Sequence, residues 1–87
     1  MYNLFLDENK IYSSEDIKEI NKFIDAWKND EENKKKYKIE PYNRVISYTE
    51  KEPKYLWIDF GSYSHFFKII KDEGKEEITF KELGFEK

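Results

Sequence analysis

Eighty-seven residues allow one small domain, and 38% hydrophobic against 40% charged content leaves little apolar surface to build it from. An aromatic content of 18% makes up for this, because each buried Phe, Tyr or Trp removes roughly 150–250 Å² from water. A net charge of −3 with interspersed signs excludes the basic excess of a general nucleic-acid binder, and the lack of Cys excludes disulfides and thiolate metal sites.

Met1 to Leu6 sets Tyr2, Leu4 and Leu6 against Asn3 and Phe5, which predicts a short strand followed by an Asp7–Lys10 turn. Ile11 and Tyr12 lead into Ser13-Ser14-Glu15-Asp16, a helix-start signal with a Ser N-cap and acids at the positive end of the dipole. Ile17, Ile20, Ile24 and Trp27, with Phe23 beside them, form the stripe of an amphipathic helix. Asn29 to Lys36 has no apolar residue. It continues as a solvated helical arm to about Tyr37, supported by Glu31–Lys35 and Glu32–Lys36 pairs, or leaves the helix at Asn29 as a loop. Lys34-Lys35-Lys36-Tyr37-Lys38 is a solvated helix end rather than a phosphate contact, since acids and amides just upstream dilute its field. Pro41 ends any helix by there.

The remainder predicts a meander: strands at Arg44–Thr49, Lys54–Phe60, His65–Lys71 and Lys75–Phe80, with turns at Glu50–Pro53, Gly61–Ser64 and Asp72–Gly74. Phe80–Phe85 folds over a sheet edge. A helix capped by Ser62 or Ser64, carrying Tyr63, Phe66, Phe67 and Ile70, is the rival for the third of these strands. The expected fold is α+β, one main amphipathic helix packed on a four- or five-stranded antiparallel β-meander sheet, in a single domain over residues 1–87. Met1–Lys10 lacks the basic start and apolar run of a secretory signal, and no run approaches the ~20 apolar residues of a membrane span, so a cytoplasmic setting is expected.

Turn lengths then set the registers. Pairing Phe60 with His65 puts Ile58 opposite Phe67, Leu56 opposite Ile69 and Trp57 opposite Lys68. Pairing Thr49 with Lys54 puts Val45 opposite Ile58, Ile46 opposite Trp57, Tyr48 opposite Tyr55 and Arg44 opposite Asp59. A last hairpin puts Ile78 opposite Lys68 and Phe80 opposite Phe66. One face thus holds Val45, Leu56, Ile58, Phe60, Phe67 and Ile69. The other holds Ile46, Tyr48, Tyr55, Trp57, Phe66, Ile70, Ile78 and Phe80, with Arg44, Asp59 and Lys68 among them. Neither face is polar and one helix covers only one of them. The second is therefore either more core or a docking surface.

Known chemistries fit poorly. His65 is the only histidine, which rules out the usual zinc site, and a general base there needs a nucleophile that the turn residues Ser62 and Ser64 do not clearly supply. Asp59-Phe60-Gly61 spells a kinase triplet in a chain without the other phosphate-handling motifs. The three glycines are isolated, and the Asp30-Glu31-Glu32 and Asp72-Glu73 acids lack calcium-loop spacing. The expectation is a non-enzymatic chain with no catalytic, cofactor or metal residues.

A short, Cys-free, Lys/Glu/Asn/Ile-rich domain of this kind resembles, in size and character, the small inhibitors carried by phages and mobile elements, anti-CRISPR-like proteins among them, and toxin-neutralising immunity proteins. The resemblance implies a protein-binding role. The candidate docking residues are Arg44, Tyr48, Tyr55, Trp57, Asp59 and Lys68 on the sheet, because rigid aromatics give contact area and charges set register. The alternative is the acidic helix with Glu19, Asp30, Glu31 and Glu32, imitating a phosphate track for a basic partner. Stacking of single-stranded nucleic acid on the aromatics is a further alternative, disfavoured by the acids among them. So is a homodimer through a self-complementary sheet.

Overall fold

The protein is described by a computed structural model covering residues 1–40, 44–48, 51–61 and 65–83, with Ser47, Tyr48 and Phe80 described through the backbone alone. Strands β1 (Tyr2–Leu6) and β2 (Asn9–Ser14) form a hairpin, followed by helices α1 (Ile17–Asn29) and α2 (Glu31–Lys36). Strands β3 (Arg44–Tyr48), β4 (Tyr55–Asp59) and β5 (Phe67–Lys71) follow, then a single turn of helix, α3 (Phe80–Leu83). The sheet has five strands in the order β2-β1-β5-β4-β3, and every pairing is antiparallel. The α+β expectation holds, with one main helix on this sheet.

The β3–β4–β5 registers are those the turn lengths predict, from Arg44↔Asp59 and Tyr48↔Tyr55 through Leu56↔Ile69, Trp57↔Lys68 and Ile58↔Phe67. Phe67–Lys71 is a strand, so the helical rival fails; Ser62, Tyr63 and Ser64 lie outside the described residues. The free side of β5 is taken by β1, with Leu4 opposite Ile69 and Leu6 opposite Phe67. That overturns the expected strand at Lys75–Phe80. A strand has two edges, and β1 supplies Leu4 and Leu6 to the inner face where Glu76 and Glu77 offer nothing comparable. Residues 77–79 are irregular, and Phe80 starts α3 instead of pairing with Phe66.

Local chemistry explains α3. Thr79 and Glu82 form a reciprocal capping box: Glu82 N donates to Thr79 Oγ1 (3.1 Å) and Thr79 N donates to Glu82 Oε1 (2.9 Å). Ile78, expected on the outer face, is buried, and so is Leu83. Tyr2 Oη donates to Glu82 Oε2 at 2.5 Å, and Asn21 Nδ2 donates to Leu83 O, which fastens α3 to β1 and α1.

The start of α1 differs in detail from the expected Ser cap. Asp16 is the N-cap, accepting from Lys18 N at 2.9 Å, while Ser14 Oγ accepts from Asp16 N and holds the cap in place. Ser13 and Ser14 instead end β2, a strand the alternation of Ile11 and Tyr12 did not announce because a bulge opposite Leu4 and Phe5 interrupts it. At the other end both expectations are partly met. The helix stops at Asn29, and after Asp30 (ψ 127°) a second, fully surface-lying helix runs to Lys36.

The core lies between the inner sheet face and α1. Leu4, Val45, Leu56, Ile58, Phe60, Phe67 and Ile69 face Ile20 and Ile24, with Ile78 and Leu83 closing the corner. Trp27 meets the rings of Phe60 and Phe67 edge-on at 5.4 and 5.1 Å and tilts against Tyr37 at 5.1 Å. Tyr12 and Phe23 stack at 4.5 Å. All six residues assigned to this face from sequence are buried there.

Gly74 is held at φ +80°, and its carbonyl accepts from Lys54 N at 2.7 Å. A Cβ there would sit 2.8 Å from Pro53 Cα, so the turn after β5 packs backbone to backbone on the turn before β4. Gly74→Ala is expected to lower stability by about 1–3 kcal/mol in urea unfolding, with Lys75→Ala within about 0.5 kcal/mol of the parent.

Phe67→Ala should cost about 3–5 kcal/mol, and Phe66→Ala, on the opposite face, markedly less. Equal losses would refute the division between faces.

The Tyr2–Glu82 bond gives a pH signature. Donation to Glu82, reinforced by burial and by the nearby carboxylates, pushes the Tyr2 phenol up from 10.0 to about 12. The folded state holds that proton more tightly, so the stabilisation is complete below pH 10 and is lost as pH rises through about 12. Glu82 is partly buried, which would raise its pKa, but the Tyr2 hydroxyl, the Thr79 amide and Lys71 outweigh this and hold it below its ordinary value. Its contribution is present above the ordinary carboxylate range and is lost as pH falls through the lowered value. Tyr2→Phe is expected to cost about 1 kcal/mol at neutral pH and to remove the parent's extra loss of stability on the alkaline side, read from denaturant midpoints across pH.

Candidate functional site

The outer face of the sheet is built by alternation. In β4, Leu56 and Ile58 point inward, which sends Tyr55, Trp57 and Asp59 outward; in β5 the same period exposes Lys68 and Ile70. The pairing then lines up rows across the strands. Phe5, Lys68, Trp57 and Ile46 form one row, and Asp59 with Arg44 forms the next. Five of the six sheet residues singled out from sequence, Arg44, Tyr55, Trp57, Asp59 and Lys68, share this face. Tyr48 joins them by register, opposite Tyr55.

The face is aromatic, charged and half-buried. Trp57 and Phe66 meet edge-on at 4.8 Å, and Lys68 Nζ stands 5.1 Å above the Tyr55 ring. Arg44 Nη2 donates to Asp59 Oδ2 at 2.8 Å, and the other Asp59 oxygen accepts from Gly61 N. Lys68 occupies the centre of the sheet with a side chain only 18% exposed, its ammonium reaching Glu8 at 3.9 Å. Its stem thus lies along apolar surface while its head reaches water. Helix contacts run from α1 to β1, β2 and the other two helices, so among the described residues no helix lies on this face.

The acidic alternative is differently arranged. Glu19 lies in the first turn of α1, and Asp30, Glu31 and Glu32 lie at the start of α2, at the far end of that helix. Lysines interleave with them: Lys22 pairs with Glu19 at 3.6 Å and Lys34 with Glu31 at 3.9 Å. Sequence proximity on one helix therefore does not make one continuous acidic track.

Three features escaped the sequence reading. Phe5 belongs to the outer aromatic row, and Glu8 reaches Lys68; the Leu4–Phe5–Leu6 alternation signals Phe5's direction but not its neighbours. His65 Nδ1 lies 2.8 Å from Asp7 Oδ2, and its ring stands edge-on to Tyr37 at 4.7 Å. Asp7 also accepts from Phe66 N at 3.3 Å, so the pair straps residues 65–66 to the β1–β2 turn. Third, an open cleft of about 490 Å³ is lined by Asp25, Lys28, Asn29, Lys34, Ile39 and Glu40. Lys28 is 8% exposed there. Burial lowers its pKa, while Asp25 and Glu40 favour its charged form. Nothing in a Lys at the polar-looking end of a helix signals this burial. Among the described residues, no group of three or more His, Asp or Glu gathers as a metal site, and no helix is long and apolar enough to cross a membrane.

Lys68→Leu tests the character of the outer face. A lysine there keeps an aromatic surface wet, so its removal should change stability by less than about 1.5 kcal/mol while raising binding of a hydrophobic dye and self-association. A loss of several kcal/mol without dye binding would mean that the ammonium is a core contact.

Comparison of the chain with family models, with curated proteins and with solved structures finds no match.

Proposed function

We propose that this chain is a non-enzymatic protein-binding module that docks a partner protein on the outer face of its sheet. The observation carrying the reading is Lys68, a charge kept at the centre of a contiguous row of Phe5, Trp57 and Ile46. A face meant for the core would place an apolar residue there, and a face meant only for water would not surround a lysine with aromatics. Trp, Tyr and Arg are the side chains that most often dominate binding energy, and Arg44, Asp59 and Lys68 supply the charge pattern that selects a partner. The resemblance in size and character to small phage-borne inhibitors and immunity proteins makes inhibition by occlusion of another protein's surface the mode to test first. A cytoplasmic setting belongs to the proposal, because a Cys-free chain suits a reducing compartment.

Base stacking is the weaker reading. Glu8 and Asp59 border the aromatics and oppose a phosphate backbone. Helix docking is weaker as well, because its acids are split between two ends of α1.

The test begins with a partner captured from the native host and purified. Trp57→Ala should weaken its binding by at least about thirtyfold, the loss of a typical hot spot, with little dependence on salt. Replacing Asp30, Glu31 and Glu32 together with Lys should leave affinity within about threefold. Intact binding by a folded Trp57→Ala protein would refute the sheet face, and salt-sensitive loss in the triple variant would move the site to the helix. A single-stranded oligonucleotide should show no binding at physiological salt.

A further inference from the structure

The two outer strands of the sheet, β2 and β3, present very different free edges. β2 carries a bulge, where Leu4 pairs with Tyr12 but Phe5 with Lys10, and Lys10 itself lies in the strand. Bulges and lysines are the devices by which natural sheets prevent edge-to-edge pairing. β3, Arg-Val-Ile-Ser-Tyr, has neither. It runs in unbroken register along β4 from Arg44↔Asp59 to Tyr48↔Tyr55 and contains no Lys, Pro or Gly. Among the described residues its other edge pairs with no strand.

We infer that β3 is a self-pairing edge, through which two copies of this chain join antiparallel about a two-fold axis at Ile46, continuing two five-stranded sheets into one. The register follows from geometry. A two-fold axis normal to the sheet keeps each face on its own side, so only residues of like parity can oppose one another. Of the registers that obey this, the one centred on Ile46 uses all five residues of the strand; shifting the centre to Val45 or Ser47 leaves three.

A second copy fits this edge without charge repulsion. Arg44 is the only residue of β3 charged at neutral pH, and this register sets it opposite Tyr48 of the other copy, never opposite another Arg44. An arginine across from a tyrosine is a favourable cross-strand pair. On the inner side Val45 meets Ser47, and on the outer side Ile46 meets Ile46, which joins the two rows ending in Ile46 and Trp57 into a single apolar band. The pairing is made by the backbone edge of β3 and is read on the chain alone, so its test does not depend on the partner protein of the proposed function, although Ile46 also ends a row of the docking face. A five-residue edge offers well under the roughly 1,200 Å² buried in stable complexes, so the dimer is reversible, with dissociation in the micromolar range or weaker.

The experiment is sedimentation equilibrium of the purified chain with charge swaps at the axis. The mass of the parent should rise with concentration from one chain toward two. Ile46→Lys and Ile46→Glu, each shown by circular dichroism to be folded, should remain single chains because like charges meet at the axis. An equimolar mixture of the two should recover the dimer, since Lys then opposes Glu. A parent that stays a single chain at millimolar concentration would overturn the inference. So would single variants that dimerise like the parent, or a mixture that recovers nothing.

Discussion

Residues 2–6 and 67–71 meet edge to edge, and every other feature of the fold depends on that meeting. The β1–β2 hairpin and the β3–β4–β5 meander each pair strands that are near neighbours in the chain. Neither alone makes a face broad enough for α1 to cover. Joined, they place Leu4 and Leu6 beside Ile69 and Phe67 and complete the floor beneath Ile20, Ile24 and Trp27. The partners are more than sixty residues apart in the chain, so the loop closure that they require is opposed by chain entropy. The junction is clamped at both ends. Asp72 N donates to Met1 O at 2.7 Å, while Asp7 exchanges backbone and side-chain bonds with Phe66 and reaches His65.

That junction also makes the two sides of the sheet unequal. Among the described residues, covering one side uses the only helix with a long apolar stripe, and α3 adds Leu83 on that same side. The aromatics that remain outward are shielded in part: Trp57 leans on Phe66, and the Lys68 ammonium stands over the Tyr55 ring. An antiparallel sheet tolerates such a wet face where a parallel one, roofed on both sides by crossover helices, rarely has the option.

What the sequence revealed of this followed its local rules. Connections of only a few residues transmit register, so the β3–β4–β5 pairings and both of their faces were legible from connection length and alternation. Long-range partners were not, because no local signal tells β5 to choose β1 over the segment at Lys75–Phe80. A local sign against a strand there exists all the same, since Thr79-x-x-Glu82 is a capping-box spelling that argues for helix, although nothing in it names β1 as the partner of β5. β2 was hidden by its bulge, which breaks the period-two pattern between Lys10 and Tyr12. Of the candidate site, the residues contributed by the meander were readable. Phe5 and Glu8, which arrive through the β1–β5 pairing, were not.

The break at Asp30 divides the helical arm into parts of very different cohesion. α1 lays Ile20 and Ile24 into the core, whereas α2 buries no residue at all. What holds α2 is Asn33, whose side-chain amide donates to Trp27 O at 2.9 Å and whose carbonyl accepts from Tyr37 N. Beyond it the chain is anchored again, by Tyr37 against Trp27 and by Glu40 N donating to Phe60 O at 2.8 Å. α2 is therefore a local unfolding unit with both ends pinned. Opening it would leave the core contacts of α1 in place, so its amides are expected to exchange with solvent before those of α1. This weakly held helix thus coincides with a dense run of charge, Glu31-Glu32-Asn33-Lys34-Lys35-Lys36, where the sequence provides solvation instead of packing.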